Sequence, residues 1–294
     1  EKCFGAEILL ERGLRLSTLR DELARSAGEK VPVTRPKETS LLAEFSRDLT
    51  QCAVEGQLDP LVGRERELRT LVERLERAIG GEGSLVLVQG EAGIGKTRIV
   101  NEIGRVGEEY GVRFLVGRCL FREGGLPYHP FVEAAERLIT DLGLDDAAAF
   151  DAWVRQRMPA LAGRLPILKS FLHVGGQEST VMISDKEHLL DAISALFLAF
   201  ARERPMILVI DDLHWADEAT LDLLLYLARN CRQSRGMIIG TYRPEEVTHA
   251  GGRTHALARV LDRMSASDLY VEIKLARLGR AETDMIKGGC ISQR

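Results

Sequence analysis

The sequence predicts an α/β protein built on a doubly wound parallel sheet, and three observations carry that prediction. Short, continuously apolar runs recur at residues 84–89, 112–116, 206–210 and 237–239. Strands of a parallel sheet are covered on both faces, so they read as unbroken aliphatic stretches instead of alternating ones. Helical periodicity fills the chain between these runs, and a glycine-rich turn joins the first run to the helix after it.

Taken in order, residues 1–28 carry apolar positions at Ile8, Leu9, Leu16, Leu19 and Leu23, broken at Gly13, which predicts two short helices with a turn between them. Residues 29–58 turn polar, with Pro32 and Pro36, and read as a linker followed by a lead-in helix that stops at Gly56. The main domain is expected over residues 59–288. It opens with a helix whose buried face is Leu68, Leu71, Val72, Leu75 and Ile79, ending before Gly80. After the first strand and the glycine turn, Ile99, Val100, Ile103 and Val106 continue as an amphipathic helix. The span 130–200 is mainly helical, with breaks at Pro159, Pro166, Gly175 and Gly176, and its sharpest helix covers residues 187–204. Residues 289–294 read as a tail. The first residue is Glu1 and the closing stretch has no packing pattern, so the chain is expected to be a fragment.

The 294 residues suffice for one full α/β domain plus a smaller appendage. Aromatic residues make up only 5% of the chain, so its core must be mostly aliphatic. A net charge of −4 gives no electrostatic reason to expect binding along a nucleic-acid backbone. Arg229, Arg232, Arg235 and Arg243 form a local basic stretch that reads as a solvated helix end beside a strand. The five cysteines are widely separated and include no Cys-x-x-Cys pair, which points to reduced thiols in a cytoplasmic protein. No apolar run reaches the roughly 18 residues of a membrane span.

The chemistry concentrates in three strings. Gly90-Glu91-Ala92-Gly93-Ile94-Gly95-Lys96-Thr97 fits the pattern of a P-loop between a strand and a helix. Its glycines let backbone N–H groups turn inward around phosphates, at conformations where a β-carbon would clash. The expected nucleotide-binding stretch is therefore Gly90, Gly93, Ile94, Gly95, Lys96, Thr97 and Arg98, with Lys96 on the β and γ phosphates and Thr97 on Mg²⁺. The fold class is accordingly a P-loop NTPase.

The second string is the run ending in Asp211-Asp212. A carboxylate at the end of a buried strand beside a phosphate loop is the usual second holder of the metal shell, and Asp211 takes that role. Asp212 is expected either to orient or deprotonate the attacking water or to serve as a loop carboxylate, Asp217 being the better cap for the next helix. The third string, Gly240-Thr241-Tyr242-Arg243, puts polar and cationic groups after a strand. There Arg243 either reaches the γ-phosphate or is an exposed loop arginine before Pro244. Trp215 is expected to pack, and none of the histidines shows metal-ligand spacing.

Together GEAGIGKT, MILVIDDLHWAD and IIGTYRPEE resemble the STAND class of signal-transduction P-loop ATPases, relatives of the AAA+ and origin-recognition ATPases. The resemblance implies ATP and Mg²⁺ as ligands, Lys96 and Thr97 as phosphate and metal contacts, Asp211 as the metal carboxylate, Asp212 as the hydrolytic acid and Arg243 as the sensor arginine. Val62, Gly63 and Arg64 resemble the motif that lies against adenine in such ATPases. Nucleotide-dependent self-association is also implied, with sensor or effector domains that this chain does not carry.

Residues 1–68 resemble a different family, the Clp unfoldases, through EILLERGLRLSTLRDELAR and GQLDPLVGRERE. Beyond Glu67 the two resemblances diverge. A Clp module would carry proline where this chain has Ala92 and glutamate where it has Asp212, so the ATPase core reads as STAND-like with a Clp-like leader. The expected activity is slow ATP hydrolysis serving a regulatory switch. A Clp-type unfoldase and an initiator-like DNA-associated ATPase are the alternatives, and the choice of ATP over GTP is open.

Overall fold

The computed structural model describes residues 63–121, 127–144, 146–172, 186–248 and 255–278. Contacts divide the chain into Glu1–Leu58 and Asp59–Arg294, and every described residue belongs to the second unit. The helices and linker expected over residues 1–58, the residue Val62 and the tail from 289 lie outside the described residues.

In chain order the described elements are α1 (Glu65–Ile79), β1 (Ser84–Gln89), α2 (Lys96–Glu109), β2 (Arg113–Arg118), α3 (His129–Asp141), α4 (Ala147–Arg157), α5 (Leu165–Phe171), α6 (Lys186–Glu203), β3 (Met206–Asp211), α7 (Glu218–Asn230), β4 (Gly236–Tyr242), α8 (Pro244–Thr248), α9 (Ala256–Ser265) and β5 (Tyr270–Lys274). The five strands are all parallel and stand in the order β2-β3-β4-β1-β5. Parallel pairing needs a crossover between successive strands, and here helices make it on both faces of the sheet.

Alternation along the strands feeds two cores. Leu85 and Leu87 of β1, with Leu208 and Ile210 of β3, face the larger layer, which α3, α4, α5, α6, α7 and α9 help to build. Val86, Val88, Ile207 and Val209 face the smaller one, against Leu71 and Leu75 of α1 and Ile99 and Ile103 of α2. Each such side chain, removed from water, contributes about 1.5–3 kcal/mol before the entropy of ordering it is counted. The expected face of α1 is the face that packs, with Leu68, Val72 and Ile79 at its margin. Edge-on ring contact between Phe131 of α3 and Phe197 of α6, at 6.0 Å between centroids, ties the helical layer together.

Two strands differ from expectation. β4 runs from Gly236 to Tyr242, four residues longer than the 237–239 core expected for it, and takes Gly240, Thr241 and Tyr242 into the sheet. Gly240 is there because a Cβ would lie 2.5 Å from Leu213 and 2.8 Å from Leu87, so its lack of a side chain serves packing and not a turn. β5 was not expected at all. It is an edge strand of alternating charge whose single buried residue is Ile273.

The end of β2 is fixed by a comparable close approach. A Cβ on Gly117 would sit 1.8 Å from the carbonyl oxygen of Pro130, in the first turn of α3. Backbone cannot give way as a flexible side chain can. Gly117→Ala is therefore expected to destabilise the domain by about 3 kcal/mol or more, measured as a lower denaturation midpoint in urea.

Candidate functional site

Because every strand points the same way, the ends of β1, β3 and β4 meet along one edge of the sheet, where ligands of open α/β sheets bind. β4 lies between β1 and β3, so the glycine loop and the acidic pair are separated by two strand spacings, about 10 Å. That gap suits a phosphate chain.

The loop has the geometry its composition requires. Gly93 and Gly95 adopt φ of +73° and +103°, in the left-handed region that glycine enters without penalty. Gly90 is needed for space: a Cβ would meet Ile94 at 2.7 Å and Leu275 at 3.2 Å. α2 begins at Lys96, so the N–H groups of Lys96, Thr97 and Arg98 belong to the first helical turn, which has no intrahelical acceptors and favours anions. Thr97 is exposed toward this end, whereas Lys96 is buried and folds back, donating to the carbonyls of Gly90 at 2.7 Å and Glu91 at 2.9 Å. Burial, and then the charge of Arg243, push the Lys96 pKa down, against the opposing pull of Asp212, Glu245 and Asp211. Those influences put Lys96, both aspartates and Arg243 in one electrostatic field.

Across the gap, the hydroxyl of Thr241 donates to Asp211 Oδ1 at 2.5 Å and accepts from the amide of Asp212 at 3.0 Å. One threonine thus fixes the first aspartate's side chain and the second's backbone. Asp212 holds φ +58°, ψ +48°, a left-handed conformation uncommon for a residue with a side chain. Burial, and next the charge of Asp211, raise the Asp212 pKa. Asp217 caps α7, accepting from the Thr220 amide at 2.9 Å, which leaves Asp212 without that task.

Arg243 follows β4 directly. It is not a solvated loop residue: its Nη1 donates to Glu246 Oε1 at 2.6 Å, and its guanidinium lies 5.4 Å from the centroid of the Trp215 ring. Its Nε is buried with no hydrogen-bond partner. Trp215 Nε1 donates to the other Glu246 oxygen at 3.1 Å. Beside them His214 is buried with neither ring nitrogen hydrogen-bonded, at 3.6 Å from Glu246 and 3.8 Å from Asp212, and burial lowers its pKa. Of the other arginines in the basic stretch, Arg232 donates to the Asp268 carbonyl and Arg235 to that of Ile79, both far along the strands from this edge.

Gly63 and Arg64 sit at the start of α1, and Arg64 is buried. Its guanidinium is occupied by protein, donating to the carbonyls of Ala276 at 2.5 Å and Ile94 at 3.4 Å and to Glu67 at 3.2 Å. The segment after β5 also flanks the loop through the Arg277–Glu91 ion pair at 2.7 Å. Thr241, Glu246 and the strip Leu275–Arg277 are the neighbours that reading the residues in sequence misses. Thr241 and Glu246 had a visible signal, their places in the string on either side of Arg243, and the strip Leu275–Arg277 had none.

A phosphate loop facing a strand-end aspartate on this strand order defines a P-loop ATPase of the AAA+ type. The model of the AAA ATPase domain family matches residues 60–239, and the chain belongs to that family. An uncharacterized protein of Rhizobium meliloti is 31% identical over 251 residues, 78% of this chain and 24% of that protein. The chaperone protein ClpB 1 of Parasynechococcus marenigrum is 33% identical over 107 residues, 36% of this chain and 12% of that protein. The chain thus spans a quarter or less of the length of these relatives. Among solved structures, Drosophila ORC bound to DNA is similar at TM-score 0.44 and 12% identity, over 95% of this chain and 60% of that one. The S. cerevisiae Hsp104–ADP complex is similar at TM-score 0.36 and 19% identity, over 84% and 27%. Likeness at this level is general. Among the described residues no helix is long and apolar enough to cross a membrane.

If the Thr241 hydroxyl fixes the acidic pair, Thr241→Val should cut ATP turnover by about 10-fold or more while ADP affinity changes little, since a hydrogen bond to a charged group is worth about 1.5–3 kcal/mol. Single-turnover hydrolysis beside ADP titration checks this.

Proposed function

We propose that the chain is the ATPase core of a nucleotide-dependent regulatory switch of the STAND type, binding ATP with Mg²⁺ and hydrolysing it slowly. The observation that carries the reading is the pairing of the Gly90–Thr97 loop with Asp211 across β4, with Arg243 held at the same edge. Positive φ at Gly93 and Gly95 makes a cradle that a phosphate fits, and Lys96 has only neutral carbonyls to leave on reaching for it.

Thr97 and Asp211 would hold Mg²⁺, the exposed hydroxyl and the strand-end carboxylate being hard oxygen donors. Bound there, the metal neutralises charge on the phosphates. Lys96 supplies the second positive charge, and the loop amides orient the phosphate chain. Asp212 accepts the proton of the attacking water, its backbone pinned by Thr241. Its side chain is one methylene shorter than glutamate, which loosens hold on the water and favours slow turnover. Gly63, Arg64, Ile94 and Arg98 belong to the nucleotide's surroundings, Arg64 by bracing the loop at Ile94. Self-association driven by ATP, the behaviour expected of such a switch, goes with this reading.

Lys96→Ala should lose phosphate affinity, by 10-fold or more for a charge-assisted contact, whereas Asp211→Asn should chiefly abolish the dependence of binding on Mg²⁺. Calorimetric titration of ATP with and without Mg²⁺ decides the matter; affinity unchanged in Lys96→Ala would overturn the reading. Turnover is expected below about 1 per second, under the range of kinases. The rate should rise with pH through a carboxylate limb, because Asp212 must be ionised to act. Loss of that limb in Asp212→Asn checks the assignment. ClpB similarity favours a second reading, an unfoldase, for which hexamers in ATP and fast turnover stimulated by unfolded protein are expected instead.

A further inference from the structure

Lys96 and Arg243 each have a resting partner, and the partners differ in kind. Lys96 rests on two neutral carbonyls, which it can leave at little electrostatic cost. Arg243 rests on a carboxylate, three residues on, in the first turn of α8. That carboxylate is held in turn by Trp215 Nε1, so its place does not depend on Arg243 alone. The arginine is incompletely satisfied: its buried Nε has no partner, and its plane lies over the Trp215 ring. A guanidinium has a fixed fork of donors and serves an anion best with two of them. Here one arm is used and another idle, a geometry suited to exchange of one anion for another.

We propose that Glu246 is a positioning residue that competes with the γ-phosphate of a bound triphosphate for Arg243, and thereby sets how strongly the site prefers triphosphate to diphosphate. This rests on the reading of Arg243 as the γ-phosphate sensor. A diphosphate ends short of Arg243, and the Arg243–Glu246 pair stays closed. A triphosphate draws Arg243 off the Trp215 ring, leaving Glu246 with Trp215 and the nearby His214. The pair is partly exposed, which keeps the exchange energetically small enough to be reversible.

Removing the charge of Glu246 removes the competitor. In the full 294-residue chain, Glu246→Gln keeps an acceptor for Trp215 and should tighten binding of a non-hydrolysable ATP analogue about 5- to 30-fold, with ADP affinity moving less than about 2-fold. Arg243→Ala should lower the analogue-to-ADP preference, and Glu246→Gln added to it should restore nothing. In the wild type the analogue, and not ADP, should shift tryptophan emission as the guanidinium leaves Trp215. Glu246→Gln tightening both nucleotides equally, or neither, sinks the inference. If Arg243→Ala leaves the preference intact, the sensor reading fails with it. If Arg243→Ala lowers the preference while Glu246→Gln does nothing, only the role of Glu246 is lost. A destabilising effect of either substitution appears as equal weakening of both nucleotides, and Glu246→Asp, which retains the charge, should keep the wild-type preference.

Discussion

Parallel strands must be covered on both faces, and that constraint arranges everything else in the domain. Covering them takes helices on both sides, helices require crossovers, and crossovers return every strand in the same direction. The ends of β1, β3 and β4 therefore share an edge without any residue being chosen for it. Function enters through what is hung there: a glycine loop after β1, an aspartate pair after β3, and a threonine and arginine at the end of β4. The middle strand is the key to their geometry, because Thr241 reaches across to β3 while the carbonyl of Tyr242 receives the amide of Gly90 from the loop at 3.3 Å.

Charge at this edge is balanced by neighbours. Asp211 faces a hydroxyl, Arg243 a carboxylate and Lys96 a pair of carbonyls, so no ionised group of the trio is bare. His214 stands apart, buried beside two carboxylates with its ring nitrogens unbonded; burial favours its neutral form, so it adds little charge to the field.

Much of this was legible in the residues. The strands β1 and β3 announce themselves as unbroken aliphatic runs because both their faces are buried, and the glycine loop by a spacing that only phosphate cradles need. The far half of β4 was not legible, since Gly240 ends the apolar run and its true reason, the closeness of Leu213 and Leu87, is a tertiary fact. β5 escaped because an edge strand with one buried residue has almost no hydrophobic signal. The three-way contact of Glu246 with Arg243 and Trp215 joins residues up to 31 positions apart, and nothing in the order of side chains states which way α8 folds back.

Arg64 binds together parts of the chain that are 212 residues apart, holding the carbonyl of Ala276 beyond β5 and, more loosely, that of Ile94 within the loop. One guanidinium thus ties the start of α1 to the segment after β5 beside the phosphate loop. Together with the Arg277–Glu91 ion pair, it couples the segment after β5 to the phosphate loop directly, outside the hydrogen bonds between the strands.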